Sequence, residues 1–218
     1  MSKLRLHLFC LLLLAISSFS QSRPRTDHWQ LRNQQFNHEQ DTLPQDPIVF
    51  LGNSIIEGFN LERAYPELNI INRGIVGDHL DGLLERLDNS AVGLRPRKIF
   101  IMIGINDIGD KRDDTYLREM FSTLVDTLTS ELPKTKVYVH SILPTSARWK
   151  NCLPDQIRRI NDFLEILALD AGIVFVDLHP LFLDQSGEFL NPELTSDGLH
   201  LNAQGYELWV KQIKSFVY

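Results

Sequence analysis

The chain has 218 residues, of which 43% are hydrophobic and 23% charged, and it carries a formal net charge of −6. That length fits one globular domain with a small extension, large enough to bury a core without disulfides or a metal. The acidic balance, with no run of Lys and Arg after residue 25, argues against nucleic acid as a partner, because phosphate binding requires a basic face.

Lys3 and Arg5 precede an apolar run from Leu8 to Ile16, and small residues Ser18 and Ser20 precede Gln21. This is the pattern of a secretory signal peptide over residues 1–20, cleaved after Ser20. It predicts a secreted or periplasmic protein with no stable membrane association after removal, since the run is too short for a comfortable span; a retained N-terminal anchor is the alternative. Cys10 would leave with it. Cys152, in Trp-Lys-Asn-Cys-Leu-Pro, has no neighbouring His to lower its pKa and reads as a packing residue.

Residues 21–46 form a polar N-terminal extension in which Trp29, Leu31 and Phe36 suggest a short helix laid on the domain. The domain itself spans 47–218. Apolar runs rich in β-branched and aromatic residues predict strands at 48–51, 69–72, 98–103, 136–142 and 173–176. Stripes at helical spacing lie between and after them: Leu80, Leu83, Leu84 and Leu87; Leu117, Met120, Phe121, Leu124, Val125 and Leu128; Ile157, Ile160, Phe163, Leu164 and Leu167; Tyr206, Trp209, Val210 and Ile213. Alternation of this kind predicts a three-layer α/β/α sandwich with a central five-stranded parallel sheet. Ligands of such sheets bind outside the carboxyl ends of the strands, near the switch in strand order.

The residues after the strands therefore carry the functional reading. Ser54 follows the first strand in Gly52-Asn53-Ser54, at a turn where a hydroxyl and its own N–H can face one cleft. Gly74 and Gly77 follow the second strand and let backbone approach a ligand closely. Asn106 follows the third in Gly104-Ile105-Asn106-Asp107, where its amide is a neutral donor for developing negative charge. Asp107 reads as a turn residue. Near the C-terminus Asp197 and His200 lie three apart, so a short turn can fold the carboxylate onto one imidazole nitrogen and leave the other for Ser54. Each feature alone reads as a cap, turn or surface contact. In this order they supply a nucleophile, a base, an orienting carboxylate and oxyanion donors.

With these blocks in place, the chain resembles the SGNH (GDSL-like) hydrolase superfamily, named for Ser, Gly, Asn and His in four blocks. They correspond to Ser54 in Phe-Leu-Gly-Asn-Ser-Ile, Gly74 in Asn-Arg-Gly-Ile-Val-Gly-Asp, Asn106 in Gly-Ile-Asn-Asp and His200 in Asp-Gly-Leu-His. Asp197 fills the usual place three residues before the His. The resemblance spans residues 47–217 and implies a flavodoxin-like fold, catalytic Ser54, Asp197 and His200, and an oxyanion hole of Ser54, Gly74 and Asn106. One departure is Asn53, where the commoner block has Asp; that carboxylate is not the triad acid. The variant is similar to a bacterial acylhydrolase and carbohydrate acetylesterase subgroup. The expected activity is therefore hydrolysis of short-chain acyl esters, acetyl above all, on a small-molecule or glycan substrate. No cofactor or metal is expected, and His79, His140 and His179 read as structural. A lysophospholipase or thioesterase, and a non-catalytic carbohydrate-binding protein on the same fold, are the alternatives. The sequence does not specify an oligomeric state.

Overall fold

The computed structural model describes residues 24–39, 42–43 and 46–218. The signal segment expected over residues 1–20 lies outside the described residues. Five strands form one all-parallel sheet: β1 (Ile48–Gly52), β2 (Ile70–Gly74), β3 (Lys98–Met102), β4 (Lys136–His140) and β5 (Val174–Val176). Their order is β2-β1-β3-β4-β5. All five predicted strands are present within two residues at each end. Strand β1 is buried along its whole length, as a central strand covered on both faces must be. Edge strand β5 leaves Val174 38% exposed.

The helices are α1 (Asp27–Glu39), α2 (Ser54–Glu57), α3 (Leu61–Ala64), α4 (Leu80–Glu85), α5 (Leu87–Ser90), α6 (Ile105–Gly109), α7 (Asp114–Glu131), α8 (Pro154–Ala171) and α9 (Ala203–Val217). Side chains alternate between the faces of a strand. Phe50, Phe100 and Tyr138 stack across β1, β3 and β4, with centroids 4.7 and 4.6 Å apart. This aromatic face packs against Phe59, Trp209 and Phe216, which places α9 over it. Helices α7 and α8 pack against each other, and α4 against α7, so these three form the other layer.

Two expectations need correction. The Leu80–Leu87 stripe belongs to two short helices rather than one, because Arg86 breaks the run at φ −101°, ψ 11° and turns its side chain fully inward. In α1, Trp29 and Phe36 are buried but Leu31 is 65% exposed.

Candidate active site

The switch in strand order falls at β1, whose neighbours β2 and β3 lie on opposite sides. Ser54 opens α2 directly after β1, and Asn106 lies in α6 directly after β3. Neighbouring strand ends therefore bring together two residues distant in sequence. Asn53 caps α2: its buried Oδ1 accepts the Ile55 N–H at 3.0 Å. An Asp would accept the same bond, which explains why the Asn variant preserves the turn. Gly104 starts α6 at φ +106°, and a Cβ there would stand 3.0 Å from Phe121 and Ile142, so glycine is required to set Asn106 at this height.

The third part comes from the loop before α9. His200 Nε2 lies 2.9 Å from Ser54 Oγ, and His200 Nδ1 lies 2.7 Å from Asp197 Oδ2. The other carboxylate oxygen, Asp197 Oδ1, accepts the Leu199 N–H at 3.0 Å and the His200 N–H at 2.8 Å. Burial pushes the Asp197 carboxyl up, but the bonds from the His200 ring and from these two N–H groups outweigh it and hold the carboxyl below its ordinary value. The loop is braced from within: Thr195 Oγ1 donates to the His200 carbonyl at 2.7 Å and accepts the Gly198 N–H at 2.8 Å. It is also tied to the segment after β4. The Ser146 N–H donates to the Gly198 carbonyl at 2.8 Å, and the Trp149 indole N–H donates to the Asp197 carbonyl at 3.3 Å.

A cavity of about 450 Å³ lies next to this arrangement at Leu199 and Asn106, although Ser54, Asp197 and His200 themselves are not among its walls. Gly77, His79, Asn106, Trp149, Cys152 and Leu199 are among its walls. The Asn106 amide donates one hydrogen to the Asp78 carbonyl at 2.8 Å. Gly74, the expected glycine donor, does not line this cavity. Its N–H is taken by Asn72 Oδ1 at 2.9 Å, and its Cα is pressed against α2, where a Cβ would meet Glu57 N at 2.1 Å. The cavity glycine of the same block is Gly77, three residues on, at φ +73° with open space beside it. The sequence signal for it was the pair of glycines, but not which of the two faces the cleft.

Asp107 is fully buried and accepts the Leu80 N–H, a structural role at the start of α4. His140 is buried in the core, where burial lowers its pKa to about 3. His79 departs from a purely structural reading: it lines the cavity and lies 3.1 Å from Asp110. Burial pushes the Cys152 thiol up to about 11, which leaves it unreactive. Among the described residues no group of three or more His, Cys, Asp or Glu is arranged to hold a metal ion.

The family model of the GDSL-like Lipase/Acylhydrolase family matches residues 50–208. The chain is 29% identical over 156 residues to an acetylxylan esterase of Geobacillus stearothermophilus, covering 67% of this chain and 71% of that protein. Among solved structures it is similar to a Streptococcus pneumonia protein named for platelet activating factor, with a TM-score of 0.81, 27% identity and full coverage of both chains. It is also similar to a GDSL-like lipase from Bacteroides thetaiotaomicron, with a TM-score of 0.75 and 26% identity over 85% of this chain and 96% of that one. The chain belongs to the GDSL-like lipase/acylhydrolase family and is a carboxylic ester hydrolase.

Proposed function

We propose that the protein is an exported serine esterase that removes short acyl groups, acetyl above all, from carbohydrate esters. The observation that carries the reading is the unbroken chain from Ser54 Oγ through the His200 ring to Asp197, beside a cavity walled by Asn106. With its proton on Nδ1, the imidazole donates to Asp197 and its Nε2 accepts from Ser54. Ser54 Oγ attacks the ester carbonyl while its proton passes to Nε2. The tetrahedral oxyanion is met by the Ser54 N–H, the Asn106 amide and the Gly77 N–H, which takes the role the sequence suggested for Gly74. Collapse expels the alcohol, which takes the proton from His200. Water then attacks the acyl-enzyme, gives a proton to His200, and the acid leaves as Ser54 recovers its proton.

Short acyl groups are favoured by the lining. Its apolar walls are Ile105, Leu199, Cys152 and the Trp149 ring, set among His79, Asp110, Arg148, Lys150 and Asn151, so polar groups surround a small apolar surface. Trp149, half-buried between Arg148 and Lys150, offers a flat ring of the kind that sugars stack against. The acetylxylan esterase relative points to the same ester class. Export follows from residues 1–20, and N-terminal sequencing of the secreted protein should begin at Gln21.

The test compares the protein with Ser54→Ala on p-nitrophenyl acetate, acetylated xylo-oligosaccharides and a long-chain acyl ester near neutral pH. Acetate release that is lost in the variant, with poor turnover of the long chain, is the expected result. Equal rates in both proteins refute Ser54 as nucleophile. Preference for the long chain refutes the substrate class.

A further inference from the structure

The turn Ile75–Asp78 holds Gly77, and what fixes it comes largely from the N-terminal extension. Ile75 is fully buried in a cluster with Trp29 and Phe36 of α1, separate from the main core. The Trp29 indole N–H donates to Asp78 Oδ1 at 2.8 Å. The opposite oxygen, Asp78 Oδ2, accepts from Arg86 Nε at 2.8 Å. Arg86 is fully buried and reaches on to the Gly52 carbonyl at 2.9 Å, two residues before Ser54. The carbonyl of the same Asp78 accepts the Asn106 amide. On the other flank of the turn, Glu57 accepts the Val76 N–H and pairs with His28 of α1 at 3.0 Å.

Helix α1 thus grips the turn at both ends, and the turn is bonded in turn to Asn106 and to the strand that ends before Ser54. A surface helix that merely covered apolar area would need no such bonds. Burying the Asp78 carboxylate is unfavourable unless its oxygens are met by donors; Oδ1 has two, the Trp29 indole N–H at 2.8 Å and the His79 N–H at 3.1 Å, and the indole is the one that ties the carboxylate to α1. Resting on the esterase reading above, we infer that α1 is a working part of the active site. Trp29 is its positioning residue, acting through Asp78 to hold the Asn106 amide and the Gly77 turn in register with Ser54.

Trp29→Phe keeps the ring and removes the donor. Its kcat on p-nitrophenyl acetate should fall at least about tenfold, with KM within about twofold of the parent, since the loss falls on transition-state alignment. The comparison variant is Asn33→Ala with Asn37→Ala, which removes the side-chain bonds that α1 makes to Asn89 of α5, away from Asp78. It should lower the melting temperature and leave kcat at the parental value. The third readout is independent of turnover: in ¹⁵N spectra the Asn106 side-chain amide should shift in Trp29→Phe and stay in place in the Asn33/Asn37 variant. Equal kcat losses in both variants would reduce α1 to a stabilising cover and overturn the inference. An Asn106 signal unmoved in Trp29→Phe overturns it as well. If the parent hydrolyses no ester, the esterase reading fails, and the amide signal still decides whether Trp29 positions Asn106.

Discussion

Asn106→Ala isolates oxyanion stabilisation from the rest of the site. The amide carries two hydrogens. One is bonded to the Asp78 carbonyl at 2.8 Å, and the other is available to the cavity that Asn106 lines. Truncation removes both, with separable consequences. Loss of the first costs about 1 kcal/mol of stability, or a fall in melting temperature of about 2–4 °C for a domain of this size. Loss of the second removes a donor whose bond strengthens as the carbonyl oxygen gains charge. That costs about 2.7–4 kcal/mol of barrier, a fall of roughly 10²–10³ in kcat. KM should change little, because the ground-state carbonyl gains far less from the donor than the oxyanion does. The assay is steady-state hydrolysis of p-nitrophenyl acetate at neutral pH beside thermal unfolding followed by circular dichroism. Asn106→Asp should be slower still, since a carboxylate in that place repels the oxyanion. A folded Asn106→Ala protein with parental kcat refutes the assignment.

The two glycines of the second block should respond to very different degrees. Gly74→Ala drives a Cβ to 2.1 Å from Glu57 N and must displace α2, so thermal melts should show a large loss of stability together with lost activity. Gly77→Ala meets no atom within 4 Å, and its left-handed φ of +73° costs only about 1–2 kcal/mol; a Gly77 variant less stable than the Gly74 variant contradicts their placement. Asp197→Asn should reduce kcat by roughly 10⁴, the scale seen when a triad carboxylate is neutralised. Because its folded pKa is held below the ordinary 3.8, its stabilising effect is present above that pH and is lost as pH falls through the lowered value. The melting-temperature gap between parent and Asp197→Asn should close there. His140 behaves differently. Its pKa of about 3 lies below the ordinary 6.5, so the folded state resists protonation. The parent should lose about 1.4 kcal/mol for each pH unit between 6.5 and about 3 from this one ring. His140→Phe should flatten that part of the acid dependence in urea titrations, and an unchanged slope would show that the ring is solvated.

The strands were legible because β1, β3 and β4 are buried on both faces over nearly their whole length and rich in β-branched and aromatic residues, a demand imposed by the parallel sheet and visible in any short window. The Asp197–His200 pair was legible because it is local: the carboxylate folds back over three residues and bonds to two N–H groups of its own turn. What stayed hidden depends on tertiary partners. Arg86 looks like the polar position of a leucine-striped helix, yet pairing with buried Asp78 draws it inward and splits that helix. The choice between Gly74 and Gly77 is made by the Asn72 side chain and the α2 backbone, neither of which the spacing specifies. Trp29 meets Asp78 across 49 residues, so its polar contact has no local signature.

The Ser54–His200 contact is itself non-local, spanning 146 residues, and something must set its length. The loop before α9 is braced within itself and tied to the segment after β4, but neither set of bonds reaches Ser54. The connection runs underneath, through the helices that the two loops lead into. Helix α9 begins just after His200 and is capped by Asn202, whose Oδ1 accepts the Gly205 N–H at 3.0 Å. One turn further, the Tyr206 hydroxyl donates to the Ile55 carbonyl at 2.8 Å, in the first turn of the helix that Ser54 opens. Phe59 stacks on Tyr206 at 5.0 Å and packs on Trp209 at 5.1 Å, so the two helices share one aromatic layer. Burial raises the Tyr206 hydroxyl well above its ordinary pKa, which keeps the donor protonated across the working range. The geometry between Ser54 and His200 is therefore fixed by core packing against the aromatic face of the sheet. The cleft above can then differ in its lining without disturbing the 2.9 Å contact between Ser54 and His200.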